Sequence, residues 1–412
     1  MKYRWALLAA ILAVIFVGVG DPQSPSPPRF RLYVAMFSFI PDAAGDQFRL
    51  LRLRIKKEFE TANPAVELRL KELDPADDPY TVSSDDPHRI GSWLTRPISD
   101  ESSNSGLHLA EADMVVLGEL MRQGLIRPWE PTPNPDDWHQ AARQAVSLDG
   151  TTYGIPHWLC GDFVFTRRQE VARARNAAEL RAALDRATTL FHLAGRISGS
   201  WNLPSLYLDA YADTYGADHV TDALRPELDD RALAGLRTVT QACTINGSNP
   251  CLTADYSNTT AAPYLFADRQ ADTVLGYSER LHYILRRTGR QQGIYLASAP
   301  LGDGNHPLLF VDAFVLRKDC SGDCEKAARA FTDYMNRPET MSWILMSEDA
   351  GATGVPRYLL PATNSAYAAP AVRKDPYYRQ MQRITQDARP YPNTRFYDLR
   401  PIIREKLEAG IM

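Results

Sequence analysis

Two periods of apolar and polar residues alternate along the chain, and the change of period separates strands from helices. Residues 29–39 are mostly aromatic and aliphatic and predict a first strand, and residues 65–73 alternate apolar with polar side chains as a second strand. Between them, residues 47–62 place apolar side chains at helical spacing, which predicts an amphipathic helix. A strand–helix–strand opening of this length predicts neighbouring parallel strands in an α/β sheet.

The same two patterns continue through the rest of the chain. Apolar runs predict further strands, which cover residues 112–118, 153–165, 267–275, 293–300 and 308–316. Helical spacing predicts helices at residues 176–187, 203–214, 229–242, 326–336 and 339–346. Residues 74–106 are crowded with Asp, Ser and Pro, and we expect them to form a long surface loop.

The first residues form a unit of their own. Lys2 and Arg4 precede an apolar run from Trp5 to Gly20, which is the pattern of a secretory signal and lies near the short limit for a membrane span. We therefore predict a signal peptide or an uncleaved membrane anchor at residues 1–22, followed by a proline-rich linker at 23–28. The protein is expected to be secreted or periplasmic, and membrane-anchored if the leader stays uncleaved.

The rest of the 412-residue chain is long enough for two lobes, each with a core of its own. The order of elements predicts that the chain crosses between the lobes more than once. We assign residues 29–159 and 296–335 to lobe 1, and residues 160–295 and 336–412 to lobe 2. A small ligand is expected in the cleft between two such lobes, and Cys160 falls at the first crossing.

Charge and motifs exclude several classes of function. The formal net charge is −4, the pI is near 6.1 and basic residues form no cluster, so nucleic acid is not an expected partner. The chain lacks a P-loop, a G-x-G-x-x-G opening a helix and H-E-x-x-H, and its eight histidines show no metal-ligand spacing. The segment 276–279 also fails the G-x-S-x-G pattern of serine hydrolases, because Arg280 replaces the last glycine. We expect no metal and no cofactor.

The five cysteines cannot all form pairs. Cys243 and Cys251 enclose seven residues, and Cys320 and Cys324 enclose three, so both couples are geometrically easy local disulfides in an exported protein. Other pairings remain open at this stage. Cys160 is the odd cysteine, and it lies inside an apolar and aromatic run.

An odd thiol in an exported protein is either a buried, inert side chain or a nucleophile. A nucleophilic cysteine needs a base nearby, and Glu279, at the end of an apolar strand, is the best candidate. Burial there would raise the pKa of its carboxyl toward neutrality, which suits proton transfer. The competing interpretation makes Cys160 a packing residue and Glu279 a carboxylate at a helix N-terminus.

At this point the chain resembles a known family, bacterial thiaminase I (thiamine pyridinylase). The resemblance covers most of the exported chain in order, and its specific part consists of the cysteine and glutamate segments. It rests on Tyr153-Gly154-Ile155-Pro156 running into Leu159-Cys160, on Gly276-Tyr277-Ser278-Glu279, on Asp312 within an apolar strand, on Phe37 to Asp42 and on Ala112 to Val115.

The resemblance implies an α/β fold of the bilobal periplasmic-binding-protein-like type (type II), with two α/β lobes joined by crossover hinge strands. It implies a thiamine-degrading transferase in which Cys160 attacks the pyrimidine of thiamine, or of a related pyrimidine, and expels the thiazole. The pyrimidine-methyl group then passes to an amine or thiol co-substrate, with Glu279 as the base. We expect the enzyme to act as a monomer without a cofactor.

The resemblance also places residues around the substrate. A carboxylate at Asp113 or Asp312 would meet the aminopyrimidine or the cationic thiazolium. The chain departs from the family where Phe37 and Phe39 replace tyrosines, and in the acidic insertion after Asp74. The candidate substrate-binding residues are Phe37, Phe39, Asp113, Trp158, Tyr277 and Asp312, although the aromatic ones would equally suit a hydrophobic core.

Two other functions compete with this one. A non-catalytic solute-binding protein would use the same two lobes to capture thiamine or another small ligand, but it has no need of a free cysteine near a carboxylate. A papain-like thiol hydrolase would use the thiol, but the residues flanking Cys160 do not match that family.

Overall fold

A computed structural model describes residues 29–36, 40–71, 87–99, 105–253, 256, 260–289 and 293–411. The predicted leader and linker, the candidate residues Phe37 and Phe39, and much of the acidic insertion lie outside these ranges. Within them, no helix combines the length and the apolar character needed to cross a bilayer.

The described part of the chain is a mixture of strands and helices. The strands are, in chain order, β1 Phe30–Ala35, β2 Val66–Leu70, β3 Leu109–Asp113, β4 Ile126–Arg127, β5 Ser147–Leu148, β6 Thr151–Thr152, β7 Gly154–Cys160, β8 Asp162–Thr166, β9 Phe191–Ala194, β10 Ala271–Tyr277, β11 Tyr295–Ser298, β12 Leu308–Arg317, β13 Leu360–Pro361 and β14 Arg389–Pro390. The α-helices are α1 Arg49–Ala62, α2 Pro87–Thr95, α3 Leu117–Arg122, α4 Gln140–Ala145, α5 Gln169–Ala172, α6 Ala177–Leu184, α7 Asn202–Tyr215, α8 Asp230–Thr240, α9 Ala261–Ala267, α10 Arg280–Thr288, α11 Asp323–Met335, α12 Pro338–Leu345, α13 Asn364–Ala368, α14 Pro370–Lys374, α15 Pro376–Thr385 and α16 Phe396–Ile411.

Two sheets form the centres of the two halves of the molecule. The larger has the strand order β13-β7-β12-β3-β1-β2, with β4 and β14 pairing with β12, and the smaller has the order β11-β8-β10-β9. Strand β1 pairs in parallel with both β2 and β3, as the strand–helix–strand opening predicts. Helix α1 buries Leu51, Ile55 and Phe59, which share one face at spacings of four residues.

The chain passes from the larger sheet to the smaller at a single residue. Strand β7 ends at Cys160 and β8 begins at Asp162, so Gly161 alone connects the two sheets at this point. A Cβ atom on Gly161 would lie 2.6 Å from Leu309 Cδ2 and 3.0 Å from the Leu308 carbonyl oxygen, so a side chain here would require Leu309 to move. Cys160 therefore lies at the crossing that the element order predicts.

The C-terminal segment 336–412 contacts both halves. We assigned it to lobe 2, and α15 and α16 do pack against β11 and α7 of the smaller-sheet half. However, β13 and β14 pair with β7 and β12 of the larger sheet. The lobe boundaries given above stay a prediction.

Two local predictions were wrong. Residues 87–95, expected as surface loop, form helix α2, because Ile90 and Leu94 lie one turn apart and both are buried. The strand expected at 112–118 ends at Asp113 and gives way to a 3-10 helix. The Asp113 carboxylate accepts a hydrogen bond from the Val115 N–H and so caps that helix, a role that favours a helix start over a longer strand.

All five cysteines lie in described residues, and two disulfides join Cys243 to Cys251 and Cys320 to Cys324. The predicted pairing is confirmed. Cys160 is a free thiol.

A buried ion pair holds the segment that leads into β13. The Arg357 side chain is fully buried, and its two terminal nitrogens donate to the two Asp349 carboxylate oxygens at 2.7 and 2.6 Å. The guanidinium also donates to the carbonyl oxygens of Pro41 and Ile344. Pro41 comes from the N-terminal part of the chain, so this hydrogen bond ties the C-terminal part of the chain to the N-terminal part.

We expect Asp349→Ala to lower the free energy of unfolding by about 3–5 kcal/mol, because the substitution leaves a guanidinium buried without its carboxylate. Urea unfolding followed by circular dichroism measures the change. Asp303→Ala is the matched control, since Asp303 pairs with Arg231 at the surface, where water replaces the lost partner. Equal midpoints for the two variants would contradict a structural role for the buried pair.

Candidate active site

Cys160 stands where the two sheets meet. It is the last residue of β7, it lies opposite Phe310 of β12, and its side chain is partly exposed. Burial raises the pKa of the thiol well above its ordinary value, and the negative charges of Glu279 and Asp312 raise it further. The sulfur is therefore protonated at rest, and it must lose its proton before it can act as a nucleophile.

Glu279 is brought to the same place by the smaller sheet. It lies two residues after the end of β10 and directly before α10, where its side chain makes no capping hydrogen bond to the helix. Its exposed fraction is 6 %, and the Arg280 guanidinium lies 3.6 Å from its carboxylate. Burial raises the pKa of the Glu279 carboxyl, and Arg280 opposes that rise in part. A carboxylate with a raised pKa next to a protonated thiol has the properties of a general base.

Tyr277 lies on β10 opposite Asp162 of β8, so the two side chains share one face of the smaller sheet. The Tyr277 ring meets the Phe310 ring edge to face, with centroids 6.2 Å apart, and the Arg280 guanidinium lies 5.7 Å from the Tyr277 centroid. This contact joins the two sheets beside Cys160.

Two carboxylates face each other across the larger sheet. Asp312 of β12 has Asp113 of β3 and Trp158 of β7 as its partners on either side, and a register shift follows Asp312 in the pairing with β7. Asp312 is buried and Asp113 half-buried. Like charges opposite each other are unfavourable in a sheet, and the Asp113 carboxylate is held by the hydrogen bond that it accepts from the Val115 N–H.

Aromatic side chains and a further acid line the other side of Cys160. Phe310, its strand partner, packs on Tyr391 with ring centroids 4.1 Å apart, and Tyr391 donates its hydroxyl proton to Asp209 Oδ2 at 2.8 Å. Burial raises the pKa of Asp209 well above its usual range, as does the charge of Asp162. This side of the site combines apolar rings with buried acids.

The structure thus brings Cys160, Glu279, Tyr277 and Asp312 into one region, and their catalytic and binding roles stay a prediction. Asp113 and Trp158 lie beside Asp312 on the same sheet, and Trp158 is almost fully buried.

Sequence reasoning missed five residues of this region, which are Asp162, Asp209, Arg280, Phe310 and Tyr391. Asp162 carried a signal, because it is a charge inside a buried strand, as Asp312 is. Asp209 and Tyr391 carried none, because they come from a helix and a loop that only the tertiary fold brings here.

No model of a protein family matches the chain. Thiaminase-1 of Paenibacillus thiaminolyticus is 22% identical to it over 430 residues, covering 99% of this chain and 93% of that protein. The structure of Clostridium botulinum thiaminase I in complex with thiamin matches with a TM-score of 0.66 at 17% identity, covering 91% of this chain and 99% of that one. The resemblance to thiaminase I is confirmed.

The thiaminase I-like chain also shares its fold with binding proteins. Maltose-bound MalE3 of T. maritima matches with a TM-score of 0.67 at 12% identity, covering 93% of this chain and 94% of that one. The predicted fold, bilobal and of the type II periplasmic-binding-protein kind, is confirmed. Similarity at this level shows the fold, and the chemistry has to be argued from the residues of the site.

Proposed function

We propose that this protein is a thiaminase I-like transferase that splits thiamine and passes its pyrimidine-methyl group to a nucleophile. One observation supports the proposal above all others: a free, partly exposed thiol lies beside a buried glutamate at the junction of the two sheets of a thiaminase I-like fold. A solute-binding protein of the same fold would not require that pair.

In the proposed reaction Glu279 removes the proton of the Cys160 thiol, and the sulfur adds to the pyrimidine carbon next to a ring nitrogen. The ring nitrogen receives the displaced electron pair and the proton that Glu279 carried. The bond from the methylene group to the thiazolium nitrogen then breaks, and its electron pair leaves with a neutral thiazole. The second nucleophile adds to the exposed methylene carbon, the carbon–sulfur bond breaks, and the sulfur recovers a proton through Glu279.

The charge of the substrate suits this site. At rest the negative charges of Glu279, Asp312 and Asp162 keep the pKa of the Cys160 thiol high. Thiamine carries a positive thiazolium, which would offset that repulsion when it binds and lower the pKa of the thiol. Activation of the sulfur would then depend on the substrate, so the free enzyme would hold an unreactive thiol.

Thiamine as the small-molecule substrate agrees with the thiamin bound to the C. botulinum protein. The co-substrate, an amine or a thiol, belongs to the proposal, as do action as a monomer and export through the N-terminal leader. N-terminal sequencing of the protein recovered from its natural host tests whether the leader is removed.

The decisive experiment is to incubate the purified protein with thiamine and an amine such as aniline, and to separate the products by chromatography. We expect free thiazole and the pyrimidine-methyl adduct of the amine. Tight binding of thiamine by calorimetry, with all thiamine recovered intact, would instead favour the solute-binding alternative.

Asp312→Asn should raise KM for thiamine by about 10- to 100-fold, because a charge-assisted contact with a cationic or protonated substrate group is lost in a buried place. Steady-state kinetics with varied thiamine measures the change. Asp319→Asn is the matched control, since Asp319 lies on the surface beyond the end of the same strand and pairs with Arg317. An Asp312 variant with unchanged KM would remove this residue from the substrate site.

A further inference from the structure

Asp162 is a half-buried acid at the site, and one of its two carboxylate oxygens lacks a hydrogen-bond donor among the described residues. It opens β8, two residues after Cys160, and faces Tyr277 across the strand pair. Its Oδ2 atom is fully buried and has no hydrogen-bond partner among the described residues. A buried acceptor without a donor is costly, so the position favours a donor that arrives with a ligand.

The titratable and charged groups that interact with Asp162 come from several elements. They are Cys160 from β7, Tyr277 from β10, Glu279 just before α10, Arg280 at the start of α10, Asp209 from α7, and Tyr391 after β14. Arg280 is the cation of this set, and the other members are acids. Burial and the negative charge of Glu279 raise the pKa of Asp162 to about 7, so the carboxyl exchanges its proton near neutral pH.

The proposed reaction releases one proton that Glu279 does not handle when the co-substrate is an amine with an N–H bond. Glu279 moves the thiol proton to the ring and back to the sulfur, so that proton returns to its origin. Thiamine is a cation, whereas the product formed from aniline is neutral, and one further proton must therefore leave. A base beside the amine nitrogen during the attack would accelerate this step, because it takes the proton as the new bond forms.

We propose that Asp162 is that base and accepts the proton of the incoming amine. The new bond joins the amine nitrogen to the methylene carbon, the electron pair of the broken N–H bond stays on nitrogen, and the proton passes to Asp162 and then to water. This inference rests on the proposed function and assigns the second half of the reaction to a residue distinct from Glu279.

A comparison of two nucleophiles distinguishes a base that serves the thiol from a base that serves the incoming amine. Aniline loses a proton on transfer, whereas pyridine has no N–H proton and yields a cationic product without proton release. We expect Asp162→Asn to lower the ratio of kcat with aniline to kcat with pyridine by about 10²-fold or more, because any effect of the lost charge on the Cys160 thiol acts on both reactions and cancels in the ratio. The retained pyridine reaction also shows that the variant is folded. Equal losses with both nucleophiles, or no loss with either, would overturn the assignment.

The wild-type enzyme provides a test that does not depend on a variant. With aniline, kcat should show a rise through about pH 7 that is absent with pyridine, because Asp162 must be deprotonated to accept the proton. Identical pH profiles for the two nucleophiles would contradict the proposal. A wild type that releases no thiazole with either nucleophile would reject the proposed function, and this inference with it.

Asp213→Asn is the matched control. Burial raises the pKa of Asp213 to about 7 as well, but its oxygens accept hydrogen bonds from the backbone N–H groups of Leu301 and His306. This variant should leave the ratio of the aniline and pyridine rates unchanged. A ratio altered as strongly as in Asp162→Asn would show that any buried acid of this half has the same effect, and would overturn the assignment.

Discussion

Cys160→Ser should lower the rate of thiazole release by about 10⁴-fold or more, because a serine hydroxyl in this acidic site cannot replace the sulfur nucleophile. The substitution exchanges the sulfur atom for an oxygen atom and hardly changes the volume of the side chain, so binding of thiamine should stay close to that of the wild type. Chromatography of the products and calorimetry of thiamine binding measure the two quantities separately.

A thiol count provides the control for this variant. Because the other four cysteines form disulfides, a thiol reagent should label one site in the unfolded wild type and none in Cys160→Ser. Thiazole release at the wild-type rate by the unlabelled variant would show that the sulfur is not the nucleophile. Loss of binding together with loss of turnover would point to a role in packing.

Glu279→Gln should lower kcat by about 10²- to 10⁴-fold, since the amide keeps the shape of the side chain and cannot accept the thiol proton. The wild-type rate should fall as the pH is lowered through the raised pKa of Glu279, because the carboxyl must be ionised to act as a base. Pre-steady-state release of thiazole, measured across a pH series, gives this fall of the rate at low pH directly.

The rate of Glu279→Gln should not show this fall at low pH. Glu279→Asp, which keeps a carboxylate, should retain part of the fall. A Glu279→Gln enzyme with the wild-type pH dependence would show that another group ionises the sulfur. Asp162 would be the first alternative, because its charge also acts on Cys160.

Much of the fold follows from local patterns in the sequence. Helix α1 and strand β12 were predictable because their apolar periods are long and uninterrupted, and each period alone decides which face is buried. Helix α2 was missed because its two buried residues stand among proline and polar side chains that suggest a loop. Short elements in polar surroundings leave little periodic signal.

The site was predictable only in part. Cys160 drew attention because it has no disulfide partner, and Glu279 because it is a carboxylate at the end of an apolar strand. Their proximity depends on the crossing at Gly161 and on the antiparallel pairing of β8 with β10, which no local pattern encodes. Asp209 is an ordinary helical acid in the sequence, and only the packing of Tyr391 against it reveals where it lies.

The single-residue junction at Gly161 has a consequence for when the Cys160 thiol becomes reactive. If the two halves rotate about this junction, the Cys160 sulfur would move little, whereas Glu279, just before α10 on the smaller-sheet half, would move along an arc. Opening would withdraw the proton acceptor and leave a neutral thiol facing the medium, in the state least prone to oxidation. Closure of the two halves around the substrate would then be the step that brings the base to the thiol and makes the sulfur reactive.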